Sequence, residues 1–116
     1  MSEPVMYIVV NSNVKMSPGK VAAQAAHVAV KASHGCERTE TDIWRKWYGG
    51  SYVKIVLKAP EVVLEALIRA YPSRTEFVRD EGRTEVQRNT LTALAFFPMT
   101  KDDSEFPKEL KDLPLY

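Results

Sequence analysis

MYIVVNSNVKMSPGKVAAQAAHVAVKASHG, residues 6–35, decides the fold. It opens on an unbroken apolar run that includes the β-branched Ile8, Val9 and Val10, the pattern of a strand buried on both faces. A loop over residues 11–16 follows. Ser17 and Pro18 then read as an N-cap and a proline in the first helical position. The helix they open is predicted to reach about Ser33, with His34 and Gly35 as its stop. At about 100° per residue, Lys20, Gln24, His27, Lys31 and His34 fall in one narrow stripe. Nearly every other position on this helix is Ala or Val. Small side chains let it lie close against a sheet, and its polar stripe begins just beyond the end of the first strand.

Working outward, residues 40–48 predict a second, short helix in which Trp44, Trp47 and Tyr48 pack, ended by Gly49 and Gly50. Residues 52–58 predict a strand with Val53, Ile55 and Leu57 on one face and Lys54 and Lys58 on the other. Pro60 opens a helix to about Tyr71. Residues 75–79 form a short strand, residues 80–89 a polar loop, and residues 90–97 the last strand, which Pro98 stops. A short helix is expected over residues 107–113. Helical crossovers after the first and second strands imply parallel pairings, and the loop before the last strand also permits an antiparallel neighbour. The expected fold is a three-layer α/β domain over residues 1–116, with a four-stranded mixed sheet flanked by helices on both faces. Sites in such sheets lie beyond the carboxyl ends of parallel strands. The loops at residues 11–20 and 80–89 qualify.

Composition narrows the class. The 116 residues are 45% apolar, enough for one hydrophobic core. Cys36 is the only cysteine, so no internal disulfide forms. The first apolar run is too short for a signal peptide and no basic segment precedes it, so the chain reads as a soluble cytoplasmic protein. The net charge is +1, but residues 101–116 carry three Lys and five acids, which leaves +3 on the rest. Any nucleic-acid surface must therefore be local.

Several chemistries drop out. Gly19-Lys20 at a helix start suggests a phosphate loop, but the full pattern requires Gly at position 14 and Ser or Thr at 21, where this chain has Val14 and Val21. What remains is an anion-receptive helix N-terminus with a lysine. His27 and His34 stand roughly 10.5 Å apart along one helix and cannot share an ion. With no Cys-x-x-Cys, neither a metal nor any other cofactor is expected. No G-x-S-x-G elbow supports a serine nucleophile, and the Cys36–His34 spacing reads as incidental. The loop D-E-G-R-T at residues 80–84 combines a tight turn with a carboxylate, a cation and a hydroxyl. Thr92 on the next strand adds a second hydroxyl.

Taken together, K-M-S-P-G-K-V-A-A-Q-A-A-H-V-A (residues 15–29), D-E-G-R-T and T-L-T (residues 90–92) resemble the signature blocks of type 2 peptidyl-tRNA hydrolases. Those blocks read roughly K-M-G-K-G-K-x-A-A-Q-x-x-H-A and D-A-G-R-T followed by T-x-T. Order and spacing agree over nearly the whole chain. Ser17-Pro18, Glu81 and Gln87-Arg88-Asn89 depart from the usual residues, which bears on substrate affinity more than on chemistry. The resemblance implies a mixed four-stranded sheet, a homodimer, and a metal-free hydrolase acting on peptidyl or N-blocked aminoacyl esters of tRNA. It implies a catalytic cluster of Lys20, Asp80, Thr84 and Thr92.

Within that cluster Asp80 is expected to position or deprotonate the water, and Lys20 to stabilise an oxyanion or a phosphate. His27 orients neighbours or acts as general acid. Lys15, Gln24, Lys31, Arg83 and Arg88 are the expected tRNA contacts. Two other readings compete. One is a non-catalytic RNA-binding module using the same basic loop, and exposed aromatics for base stacking are missing from those loops. The other is a protein-interaction domain built on Trp44, Trp47 and Tyr48, which read more simply as core or dimer contacts.

Overall fold

The structure, a computed structural model, describes residues 3–82 and 86–116. Strand β1 (Met6–Asn11) is buried along its whole length, as its uninterrupted apolar run requires. Met6, Ile8 and Val10 point into one core, Tyr7 and Val9 into another. The remaining strands are β2 (Lys54–Ala59), β3 (Thr75–Arg79) and β4 (Leu91–Phe96). The sheet order is β2-β1-β4-β3, with β2 parallel to β1 and β4 antiparallel to both its neighbours. Only the first crossover therefore yields a parallel pair. After the second crossover β3 does run in the direction of β1, but β4 is inserted between them and takes both sets of ladder bonds.

Helix α1 (Pro18–Thr39) and the short helix α2 (Thr41–Lys46) lie on one side of the sheet, and helix α3 (Glu61–Ala70) and the 3₁₀ turn Lys108–Asp112 belong to the other. These are the expected three layers. Ser17 caps α1 through its hydroxyl, which accepts from the Lys20 amide at 3.2 Å, with Pro18 at the helix start.

Gly35 does not end α1, which continues to Thr39. A Cβ at Gly35 would lie 2.8 Å from Cζ of the buried Phe97 ring, so the glycine serves close helix–sheet approach inside the helix. Gly35→Ala is expected to lower the unfolding free energy by about 1–3 kcal/mol through overpacking, read as a lower urea midpoint at unchanged slope.

Two further boundaries differ from expectation. Trp47–Ser51 forms a wide turn, and Tyr52 adopts a left-handed backbone (φ 57°), so β2 begins only at Lys54. The Val53 carbonyl receives the Met6 amide and the Trp47 indole N–H, while 41% of Val53 is exposed. Strand β4 carries a bulge. Val78 pairs with Ala93 and Arg79 with Leu91, which leaves Thr92 as the extra residue. Leu91 and Leu94, three apart, consequently share one core.

Candidate active site

Two loops at one end of the sheet build the site. The first leaves β1 at Asn11, which is 1% exposed. Its amide group donates to Glu61 Oε1 (3.0 Å) and the Leu91 carbonyl (2.8 Å), and its Oδ1 accepts from the Asn13 amide (2.9 Å). Asn13 Oδ1 in turn accepts from the Glu61 amide at 2.7 Å. This network ties the loop to the start of α3 and to β4, and so fixes where α1 begins. The sequence reading gave Asn11 no role. The N-S-N run after a buried strand is the signal that hinted at it, since Asn favours local side-chain turns.

The second loop leaves β3 at Asp80. Its carboxylate Oδ2 accepts from the Gly82 amide at 2.7 Å, and Gly82 has φ +79°. A side chain at Gly82 would also meet the Arg88 backbone at 3.0 Å, so glycine is required there twice over. The Asp80 amide donates to the Thr90 carbonyl and its own carbonyl accepts from the Asn89 amide, closing the loop onto itself. Although the loop is polar in composition, Val86 within it is buried.

The two loops meet through side chains. Lys20 Nζ lies 2.6 Å from Asp80 Oδ1, and Gln24 Nε2 donates to the same oxygen at 3.0 Å. Asp80 is 5% exposed and Lys20 13%. The Lys20 ammonium, above all, holds the Asp80 carboxyl below the usual carboxylate range, helped by the Gly82 amide against the opposing effect of burial. Lys20 and Gln24 reach Asp80 because residues four apart on a helix stack on one face.

An open cleft of about 720 Å³ runs along this face, lined by Lys20, Gln24, His27, Lys31, Arg79 and Asp80 among others. His27 is exposed on its wall. Lys31 donates to the Phe77 carbonyl at 2.9 Å and lies 3.9 Å from Glu76. His34, at the margin of the predicted stripe, belongs instead to an adjoining groove with Trp44, Tyr48 and Tyr52.

Lys15 and Arg88 are exposed on the two loops. Thr92 is fully buried with its hydroxyl 3.4 Å from the Val78 carbonyl, and it does not line the cleft. Arg83 and Thr84 lie outside the described residues. Arg79 was read only as the end of a strand, yet its guanidinium stands in the cleft. It donates to the Asn89 carbonyl at 3.1 Å and lies 5.6 Å from the Phe77 ring. Cys36 is fully buried, with its thiol pushed up to about 12 mainly by burial and secondarily by Glu40, as befits a packing residue. Among the described residues no cluster of His, Cys, Asp and Glu has the makings of a metal site, and no helix is long and apolar enough to cross a membrane.

The site so defined is an ionised carboxylate clamped by a lysine and an amide, on the wall of an open cleft in an α/β protein. Comparison with known families makes this specific. The profile of the family "Peptidyl-tRNA hydrolase PTH2" matches residues 4–116, and the chain belongs to that family. It is 34% identical over 114 residues to the peptidyl-tRNA hydrolase of Methanothermobacter thermautotrophicus, covering 93% of this chain and 96% of that protein. It is 34% and 32% identical over 101 residues to the mitochondrial peptidyl-tRNA hydrolase 2 of Bos taurus and Homo sapiens, in both cases over 84% of this chain. The chain spans 56% of the length of these two mammalian relatives.

Proposed function

We propose that this chain hydrolyses the ester joining a peptide, or an N-blocked aminoacyl group, to the 3′ ribose of tRNA, and so frees the tRNA for reuse. The observation that carries this reading is the bonding of Asp80. Oδ1 already receives Lys20 and Gln24, whereas among the described residues Oδ2 receives only the Gly82 amide. A carboxylate offers about four acceptor positions, so Oδ2 retains one for a water at the cleft wall. With its proton affinity depressed, Asp80 is a better orienting acceptor than a strong base. Gln24, which lines the cleft but is only 4% exposed, acts as a positioning residue through its bond to Asp80.

In the reaction, the water held by Oδ2 attacks the ester carbonyl. Charge develops on the carbonyl oxygen, where the Lys20 ammonium stabilises it. The carbon–oxygen bond to the ribose then breaks. The proton given up by the water replaces that bond on the leaving 3′ oxygen, with His27 on the cleft wall as its carrier. Thr92, buried at the bulge, braces the strand that holds this wall. Lys15, Lys31, Arg79 and Arg88 face the polyanion; Arg83 is assigned to the same tRNA contacts and Thr84 to the catalytic cluster from the family resemblance. Single-turnover cleavage of peptidyl-tRNA tests the reading directly. A folded protein that binds the substrate without cutting it would favour the RNA-binding module instead.

Phosphate contacts release counterions, so binding should weaken steeply with salt. Arg79→Ala and Arg88→Ala are each expected to lower the slope of log K against log salt by about one. A filter-binding salt series checks this, and an unchanged slope removes that arginine from the footprint.

We further propose that the chain acts in the cytoplasm as a homodimer. Val30 (69% exposed), Tyr48 (53%) and Tyr52 (50%) beside the adjoining groove are the apolar surface that supports this. Sedimentation of Tyr48→Ser should show a shift toward monomer.

A further inference from the structure

The face of the sheet opposite α1 holds a feature that tRNA cleavage does not use. Tyr7 on β1 is 5% exposed, and its hydroxyl has no hydrogen-bond partner among the described residues. Leaving such a donor unmade in the interior costs about 1–3 kcal/mol, so a buried tyrosine normally finds a partner. Tyr7 lines a cleft of about 380 Å³ between β2 and the C-terminal segment, with Leu57, Phe106 and Leu110 as apolar walls. The Phe106 ring meets the Tyr7 ring edge-on at 5.5 Å. The chain end is fastened over the outer edge of β2, where the Tyr116 amide donates to the Val56 carbonyl and the Lys58 amide to that of Pro114.

Two lysines, Lys101 and Lys111, complete the lining. Residues 101–116 carry five acids, yet none of them lines this cleft. Neither lysine makes an ion pair or a hydrogen bond among the described residues. The acidic segment has therefore placed unneutralised cations at an apolar opening whose lining includes Tyr7, the residue that carries the buried, unsatisfied hydroxyl. Burial raises the Tyr7 phenol above its ordinary range, so at neutral pH it keeps its proton, and that O–H donor needs an acceptor.

We propose that this cleft binds a small amphiphilic anion, with a short alkyl chain or single ring against Leu57, Phe106 and Leu110. Its carboxylate or phosphate is held by Lys101 and Lys111, and one of its oxygens accepts from the Tyr7 hydroxyl. The apolar walls exclude a bare inorganic ion as the best fit, and the paired lysines exclude a neutral hydrocarbon.

The test uses the full chain with the fluorescent anion 1-anilinonaphthalene-8-sulfonate. Its emission should rise to saturation at one probe per chain. Octanoate and octyl phosphate should displace it and octanol should not, and the stronger of the two competitors identifies the head group. Exchanging both exposed lysines, Lys101→Ala with Lys111→Ala, should weaken octanoate binding about tenfold or more, as for lost charged hydrogen bonds. Tyr7→Phe should weaken it about fivefold, while the ligand-free variant melts no lower than the parent because no native hydrogen bond is removed. Unchanged octanoate affinity in Tyr7→Phe, as a hydroxyl satisfied by buried water would give, overturns the proposal. So does unchanged affinity in the double lysine variant, which would place the probe elsewhere, such as on the Tyr48 face. Equal displacement by octanol overturns it as well.

Discussion

Asp80→Asn is expected to lower single-turnover cleavage of peptidyl-tRNA by about 10² or more, the scale of a lost acid–base or water-orienting group, while tRNA binding stays unchanged or tightens slightly. The asparagine keeps the size of the aspartate but has one acceptor oxygen. That oxygen can face Lys20 and Gln24, or it can face the Gly82 amide, but not both. Turned toward the Gly82 amide, it would set the asparagine NH2 against the Lys20 ammonium and the Gln24 amide, donor against donor, so the oxygen faces those two and the acceptor at the Oδ2 position is lost, and with it the hold on the water. Binding behaves differently because Asp80 is an anion facing a polyanion, and at close range its charge opposes tRNA. If Asp80 only shaped the turn before Gly82, asparagine would serve nearly as well, since it suits such turns. A folded Asp80→Asn protein that cleaves at a near-normal rate removes Asp80 from the chemistry. The depressed proton affinity adds a condition. Asp80 remains ionised as the pH falls from 7 to about 5, so its own protonation causes no acid loss of activity in that range.

How far the sequence disclosed this site depends on the range of the interactions involved. The stripe of Lys20, Gln24, His27 and Lys31 was readable because helical periodicity is local, and all of these residues line the cleft. The capping by Ser17 and the D-x-G turn were readable for the same reason. The end of α1 was not. Gly35 has the local appearance of a helix stop, but its actual constraint is Phe97, far away in the chain. The insertion of β4 between β1 and β3 is likewise a tertiary choice that no local pattern encodes. The bulge at Thr92 shows the consequence for function. An uninterrupted β4 would alternate through residues 91–96, whereas the extra residue puts Leu91 in phase with Leu94 and leaves Thr92 buried against Val78. Arg79 escaped notice because a terminal strand cation gives no signal until the opposite wall of the cleft is known. Asn11 escaped because its partners come from α3 and β4.

Lys20→Ala should separate itself from Asp80→Asn by weakening both steps, with cleavage down about 10²–10³ as for a lost oxyanion donor and tRNA binding weaker as well. Its ammonium is complementary to phosphate in the bound state and to the developing oxyanion in the transition state. The same variant carries a pH signature in stability. In the parent, the folded-state proton affinity of Asp80 is depressed, first of all by Lys20. The pair therefore stabilises the fold fully above the ordinary carboxylate pKa of about 3.9, and this stability is lost as the pH falls through the lower folded value. Removing Lys20 leaves Asp80 buried with Gln24 and the Gly82 amide as its donors among the described residues, so burial then dominates and its proton affinity rises. The cost of an unpaired buried charge approaches about 3 kcal/mol, moderated here because the loop donors remain. Urea unfolding of parent and variant should accordingly differ most near neutral pH and converge only as the pH falls below the depressed folded value, where Asp80 is protonated in both proteins. A stability difference that stays constant across that range would mean that Lys20 contributes by the packing of its stem. The ion pair with Asp80 would then not be what holds the two loops together.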